Sequence, residues 1–327
     1  MAEISVIIPI YGVERFLERC VKSLMEQSFD DVEYIFVNDS TKDKSMDILL
    51  AVLNRYPQKK DQIIIKEHAQ NLGLPAARNT GLSIASGKYI FHCDSDDFVD
   101  PTMLEELYYE AKKNDADIIW CDWYLTFAHN ERYMKQPNYT NPEDALRGIL
   151  CGTMKYNVWN KLIKKELYSR NHIRFPSGYG MGEDMAIIKL FACANKIAYV
   201  PKAFYHYIKT NANAFSQTYS ERHLIDLRHN TDDTISYLHS IFGDKVEAEI
   251  AFFKLATKYS FLISNGEKKW YELWNSWYPE SNKYILSNKH VSIRCRIVQW
   301  CAWNKLYLFV RLHYLIVSKI YYGIIYK

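Results

Sequence analysis

Four short apolar runs constrain this chain more than any other feature: Ile4 to Ile10, Val32 to Val37, Ile63 to Lys66 and Lys88 to Cys93. Each is too short for a globular helix and reads as a strand, the first two as buried strands. The intervals carry helical spacing, through Phe16, Leu17, Cys20, Leu24 and Met25, then through Met46, Leu49, Leu50 and Leu53, with a third helix opening at Pro75. Strands alternating with helices require right-handed crossovers, and hence a largely parallel sheet covered on both faces, a doubly wound α/β architecture. Ligands of such sheets lie beyond the carboxyl ends of the strands. Three segments leave those ends: Pro9-Ile10-Tyr11-Gly12, Asn38-Asp39-Ser40 and Asp94-Ser95-Asp96-Asp97.

Beyond Pro101 a helix is expected to about Asn114, a strand over Asp117 to Tyr124, and mixed short elements to a softer boundary near residue 220. From Glu221 to about Trp277 the pattern is helical without obvious chemistry. With 48% hydrophobic and 24% charged residues, and only 12 Gly and 9 Pro, the chain is neither fibrous nor disordered. Its seven cysteines are an odd set without C-x-x-C or zinc spacing, so they are expected as reduced thiols. MAEISVIIPIYG has no basic stretch ahead of a long apolar one, so neither secretory signal nor N-terminal anchor is expected, and the body is expected in the cytoplasm.

The loop after the first strand reads PIYGVERF, which is neither a dinucleotide-binding G-x-G-x-x-G nor a phosphate-binding G-x-x-x-x-G-K-[ST]. A nucleotide bound here needs another source of counter-charge. Three carboxylates within Asp94-Ser95-Asp96-Asp97 would repel one another unless a hard cation such as Mg2+ or Mn2+ neutralised them. A single helix cap ahead of Met103 is the simpler alternative, although a cap needs one Asp and not three. Asp39 is placed to accept hydrogen bonds from a nucleotide, or it serves turn chemistry only. Arg78, in the first turns of its helix, faces a phosphate or pairs with the carboxylates.

SVIIPIYG, DVEYIFVNDSTKDKS, NLGLPAARNTGL and GKYIFHCDSDD, in that order and spacing, resemble the family 2 glycosyltransferases with the GT-A fold. The resemblance is strong to about residue 115 and moderate to about 217. It implies a GT-A domain over 1–220, with a nucleotide-sugar half (1–115) and an acceptor half (116–220), and it leaves 221–327 as a helical extension. It further implies that Pro9 and Tyr11 pack on the base, that Asp39 bonds uracil, and that Arg78 and Asn79 lie near the diphosphate. Asp94 is then expected on the ribose side and Asp96 on the metal, with Asp97 in reserve. GYGMGEDM contains Glu183-Asp184, similar to the family's E-D motif, which makes Asp184 the general base of an inverting transfer; taken alone, the pair is an ordinary acidic helix start. Trp159, Lys161 and Tyr179 are expected near the sugar or acceptor, each with packing as the alternative. Glu183 is a further candidate contact to donor or acceptor, and His206 is a third metal ligand, a phosphate donor or a structural histidine.

The charge is divided unevenly. Ser281 to Lys327 holds eight Lys or Arg and no Asp or Glu, which leaves residues 1–280 at −5 against +3 for the whole chain. Arg or Lys interrupts every stretch of about 18 residues there, so a spanning helix is not expected. Arg294, Lys305, Lys319 and Lys327 fall within about 80° on a helical wheel, as in an in-plane amphipathic helix or helix pair on an anionic inner leaflet. Packing on the body or on a second subunit is the rival reading. The expected activity is metal-dependent transfer from a UDP-sugar to a glycan acceptor, lipid-linked, for a capsule, O-antigen or exopolysaccharide. No nucleic acid partner is expected, and a homo-oligomer is compatible with the sequence. The alternatives are a sugar-phosphate nucleotidyltransferase, whose basic Gly-rich first loop is missing here, and a non-catalytic binding module of the same scaffold.

Overall fold

The computed structural model describes residues 2–209, 220–263 and 266–317. They fall into two compact units, Met1–Ala145 with Tyr156–Thr234 and Leu146–Lys155 with Ile235–Lys327.

In the first unit the alternation unfolds as the apolar runs dictate: β1 (Ile4–Ile10), α1 (Leu17–Met25), β2 (Val32–Asn38), α2 (Ser45–Leu53), β3 (Ile63–Glu67), α3 (Leu74–Ile84) and β4 (Tyr89–His92). There follow β5 (Phe98–Val99), α4 (Met103–Asn114), β6 (Ile118–Thr126), β7 (Glu131–Met134), α5 (Pro142–Leu150), β8 (Lys161–Lys164), α6 (Lys165–Arg170), α7 (Ala186–Cys193) and β9 (Ile197–Ile208). Among the described residues these nine strands form one sheet, ordered β3-β2-β1-β4-β8-β6-β9-β5, with β7 on β6.

The β3-β2-β1-β4 portion is parallel, and every residue of β1 is buried, as two covered faces require. Beyond β4 the sheet departs from the expected parallel pattern, because β8 runs antiparallel to both β4 and β6 and β5 runs antiparallel to β9. The chain builds outward from β1 through β2 to β3, then returns to place β4 on the other side of β1. That reversal opens a crevice at the carboxyl ends of β1 and β4. Helix α3 lies close over β1 because residue 81 is glycine; a Cβ there would stand 2.4 Å from Ile7 Cγ2. This approach aims Arg78 of α3 toward the crevice.

The expected boundary near 220 does not coincide with the compact units. Helix α8 (Glu221–Phe242) belongs to the first unit as far as Thr234, because its side chains grip the loop before α7. Asp226 Oδ2 accepts from the Gly180 N–H at 3.0 Å, and Asn230 Nδ2 donates to the Tyr179 and Met181 carbonyls at 3.1 and 2.9 Å.

The second unit is helical: the rest of α8, then α9 (Glu247–Ile263), α10 (Lys268–Ser276), α11 (Ile293–Trp303) and α12 (Tyr307–Ile316). Its centre is Lys258, fully buried, whose ammonium donates to the Trp277 carbonyl and Asn282 Oδ1, both at 2.7 Å, and lies 4.1 Å from the Trp274 ring centroid. Burial pulls its pKa down to about 7. Among the described residues no helix is long and apolar enough to cross a membrane. Of the expected basic stripe, Lys319 and Lys327 lie outside the described residues. Lys305 is not helical: it occupies the turn between α11 and α12 with φ +59°.

Candidate active site

Arg78 is 1% exposed and serves three carboxylates. Its Nη2 donates to Asp94 Oδ1 at 2.8 Å, and its Nη1 donates to Asp184 Oδ1 at 2.6 Å and to Glu183 Oε1 at 3.3 Å. One planar fork thereby joins the acidic loop after β4 to the acidic turn before α7. Burial alone would lower the guanidinium's pKa; the charges of Asp184, Asp94 and Glu183 outweigh it and hold Arg78 more firmly protonated than usual.

The loop after β4 assigns different work to its three carboxylates. Tyr205 OH accepts from the Asp94 N–H at 3.1 Å and donates to Asp97 Oδ2 at 2.8 Å, while Asp97 Oδ1 accepts from the Ile208 N–H at 2.7 Å. Asp97 is buried among these partners, and burial together with Asp96 and Asp94 raises its pKa well above the carboxylate range. It fastens the loop to the end of β9. Asp94 and Asp96 stay partly exposed at the crevice. Among the described residues no three His, Cys, Asp or Glu side chains could hold a metal ion between them. Two hard oxygen donors nevertheless fit Mg2+ or Mn2+ when substrate phosphates complete the coordination.

Glu183 and Asp184 emerge from Gly182, whose φ of +86° turns the chain into a single 3-10 turn ahead of α7. Asp184 Oδ2 also accepts from the Val158 N–H at 3.4 Å. Burial raises the pKa of Asp184, against the opposing pull of Arg78, while Asp94 adds to the rise. Glu183 is pushed up to about 8 by burial and by Asp184 beside it. Adjacent coupled acids of this kind share protons as a pair, with Arg78 keeping one of them ionised.

Lys161 of β8 is buried and donates to the Asn157 carbonyl at 2.6 Å and to Asn160 Oδ1 at 2.9 Å. Burial lowers its pKa to about 7 against the attraction of Asp184. It is therefore an internal charge near the acidic turn. Trp159 is likewise inside, stacked on Tyr205 (centroids 4.4 Å apart) and Tyr207 (5.3 Å), so it braces β9. His206 is engaged by protein partners on both ring nitrogens. Its Nδ1 and Nε2 lie 2.7 Å from Glu131 Oε1 and 3.2 Å from Asp100 Oδ1, and its ring is stacked between Phe98 and Tyr124.

Asp39 is buried after β2 and already has three partners: Oδ1 faces His68 Nδ1 at 2.7 Å and accepts from the Leu72 N–H at 2.8 Å, and Oδ2 accepts from the Gly73 N–H at 2.8 Å. It holds the loop that starts α3, with capacity left on Oδ2 for one further donor. Pro9 is buried in β1, whereas Tyr11 is 54% exposed at the crevice rim. Tyr179 is partly exposed and stacks on His229, centroids 3.6 Å apart. Asn79 exchanges two hydrogen bonds with the backbone of Phe175, at 2.7 and 3.0 Å, tying α3 to the segment that leads into the acidic turn. This tie, and the grip of Asp226 and Asn230, were not foreseen. An i,i+4 Asp/Asn pair on a helix looks like solvated surface until its partner loop is known.

A model of glycosyl transferase family 2 matches residues 5–186. The uncharacterized glycosyltransferase EpsJ of Bacillus subtilis is 33% identical over 222 residues, 65% of this chain and 63% of EpsJ, so less than two thirds of that relative is spanned. The cholesterol galactosyltransferase of Borreliella burgdorferi is 30% identical over 278 residues, 80% of this chain and 74% of that protein. The crystal structure of S. aureus TarS 1-349 in complex with UDP-GlcNAc superposes with a TM-score of 0.66 at 20% identity, covering 98% of this chain and 92% of that one.

Proposed function

The chain belongs to glycosyltransferase family 2 and has the GT-A fold with C-terminal helices, and from that premise we propose an inverting, divalent-metal-dependent transferase that moves a sugar from a UDP-sugar to a glycan acceptor. The carrying observation is the Arg78 fork, which brings Asp94 and Asp184 to one guanidinium although Arg78 and Asp184 stand 106 positions apart. A donor site and a deprotonating group belong together in a transferase, whereas a binding module has no need of an ionised carboxylate turned toward the donor side.

In this reading Tyr11 packs on the base at the crevice rim with Pro9 beneath it in β1, and Asp39 offers the free capacity of Oδ2 to the base edge. Asp94 faces the ribose, and Asp94 with Asp96 would hold Mn2+ or Mg2+ against the diphosphate, which lowers the cost of its departure. Arg78 supplies fixed positive charge beside the leaving group and orients Asp184. Asp184 takes the proton of the acceptor hydroxyl as it attacks the anomeric carbon from the face opposite the diphosphate, giving inversion. Raised by burial, Asp184 is a stronger base than a solvated aspartate yet stays ionised beside Arg78. Tyr179, on the loop leading to the acidic turn, is the aromatic face nearest in sequence for the acceptor.

The proposed acceptor is a growing envelope glycan, lipid-linked, met at the cytoplasmic face of the membrane; two features support this, the envelope-polymer names among the relatives, such as poly(ribitol-phosphate) beta-glucosyltransferase of Bacillus spizizenii, and the acid-free C-terminal segment. The test is a thermal-shift and hydrolysis screen of UDP-, GDP- and dTDP-sugars with Mn2+ and Mg2+. Metal-dependent stabilisation by UDP-sugars alone supports the reading, and an equal response to all three nucleotides removes the uridine assignment.

A further inference from the structure

The two last described helices break the rule that a surface helix is polar on its outer face. Their inward sides are accounted for: Val298, Cys301 and Ala302 of α11 and Val310 of α12 are buried, and Asn275 Nδ2 fastens the turn by donating to the Ala302 carbonyl at 2.7 Å and to Tyr307 OH at 3.4 Å. Their outward sides are apolar as well. Ile293, Ile297 and Trp300 repeat at i, i+4, i+7 along α11, and Leu308, Leu312 and Leu315 repeat at the same spacing along α12. All six are exposed, up to 67% for Ile293 and 77% for Leu308. One such residue is ordinary; a stripe of three on each of two adjoining helices is apolar surface that water does not favour.

Charge identifies what covers it. Arg294, Lys305 and Arg311 are exposed among the apolar residues, and no Asp or Glu occurs from Ser281 to the end of the chain. A two-fold contact with a second copy would set this cationic surface against itself, since an isologous interface pairs a patch with its own image. Nor do the described residues hold a helix long and apolar enough to cross a membrane. Aromatic and aliphatic side chains facing outward, with arginine and lysine beside them and no acid, match the headgroup region of an anionic bilayer.

We infer that the outer face of α11 and α12 is a docking surface for an anionic lipid bilayer, lying in the plane of the interface with Ile297, Trp300, Leu308 and Leu312 entering the acyl boundary and Arg294 and Arg311 at the phosphates. The surface stands on its own geometry; its use in presenting a lipid-linked acceptor rests on the transferase reading.

The test is co-sedimentation of the full chain with vesicles of phosphatidylcholine and of phosphatidylcholine mixed with phosphatidylglycerol. Binding is expected to the mixed vesicles, with a fall as salt rises, and with a loss of about tenfold or more in Leu308→Glu/Leu312→Glu, since each glutamate opposes both the acyl boundary and the anionic surface. Arg294→Glu/Arg311→Glu should weaken binding and flatten its salt dependence. Quenching of Trp fluorescence by brominated lipid checks insertion in the unmutated protein. Wild-type protein that stays in the supernatant, or a Leu308→Glu/Leu312→Glu variant that binds as wild type, overturns the inference. So does a lipid-free dimer that this variant converts to monomer, which would assign the face to a second copy. UDP-sugar hydrolysis in lipid-free buffer reports the transferase site separately, so a failed surface with intact hydrolysis leaves the transferase reading standing.

Discussion

Nη1 of Arg78 lies 2.6 Å from Oδ1 of Asp184, and the same guanidinium reaches Asp94 at 2.8 Å through Nη2. The base of the proposed reaction and the acid that faces the donor are thus electrostatically one unit. Anything that binds Asp94 or competes for Arg78, as a metal or a diphosphate does, changes the field at Asp184.

Removing Arg78 tests that unit. Arg78→Ala leaves three carboxylates facing one another without a counter-charge, and a broken buried pair costs about 3–5 kcal/mol. Asp94 and Asp184 keep 24% and 23% of their side-chain surface exposed, so solvent screening places the loss at the lower end, about 3 kcal/mol. Thermal melts should show a deficit largest above neutral pH and shrinking as the carboxylates protonate. Arg78→Lys keeps the charge without the fork; it should recover much of the stability and little of the activity.

The pair Glu183-Asp184 predicts a stability profile. A carboxyl raised from its unfolded value to about 8, as Glu183 is, contributes stability that is complete below the unfolded pKa and is lost as pH rises through about 8. Glu183→Gln should therefore flatten the decline in denaturation midpoint between about pH 5 and 8. Turnover follows the opposite sign, because Asp184 must be ionised, and its acid limb should lie above the ordinary aspartate range. Since Glu183 is largely protonated at neutral pH, Glu183→Gln should keep turnover there within a few-fold.

Asp97 and Asp96 should separate cleanly. Asp97→Asn disturbs the bonds to Tyr205 and the Ile208 N–H, so its effect is a lowered melting temperature whether or not metal is present. Asp96→Asn should raise the Mn2+ concentration needed for donor hydrolysis by about tenfold or more, as expected when a hard-cation site loses a carboxylate. Equal metal dependence in both variants would remove the distinction drawn between them.

Asp39 has a structural duty as well as the proposed one. Asp39→Ala removes the acceptor of the Leu72 and Gly73 N–H groups, which are only partly buried, so each costs about 1 kcal/mol, the lower end for a donor left unsatisfied. Asp39→Asn retains one acceptor oxygen for them. If Asp39 also reads the base, Asp39→Asn should weaken UDP binding in calorimetry while its affinity for inorganic pyrophosphate holds.

The strands at the switch point were legible in the sequence because a fully buried parallel strand is a run of apolar residues and little else imitates it. Ile4–Ile10 was found to the residue. The antiparallel additions were not, since β8 is only four residues long and begins on a lysine, and β5 is two residues. The acidic residues of the site were legible through their motifs, but their division of labour was not. Asp97 faces inward because Tyr205 and Ile208 of a distant strand complete its hydrogen bonds, and nothing within Asp94-Ser95-Asp96-Asp97 encodes that. Trp159, Lys161 and His206 stood between a site role and packing for the same reason: an aromatic, a lysine or a histidine near a motif reveals its burial only when the packing partner is known. The tail was misread in one particular, since a wheel drawn through Lys305 ignored the turn that Lys305 makes.

The central claim is that Asp184 is the base and Asp94 and Asp96 belong to the donor, and Asp184→Asn tests it most directly. Acceptor-dependent sugar transfer and UDP-sugar affinity are measured side by side in the presence of Mn2+. The account predicts transfer reduced by about three orders of magnitude or more, in line with loss of a general base that also positions the nucleophile, with donor affinity within a few-fold of wild type. Transfer at the wild-type rate by Asp184→Asn would contradict it.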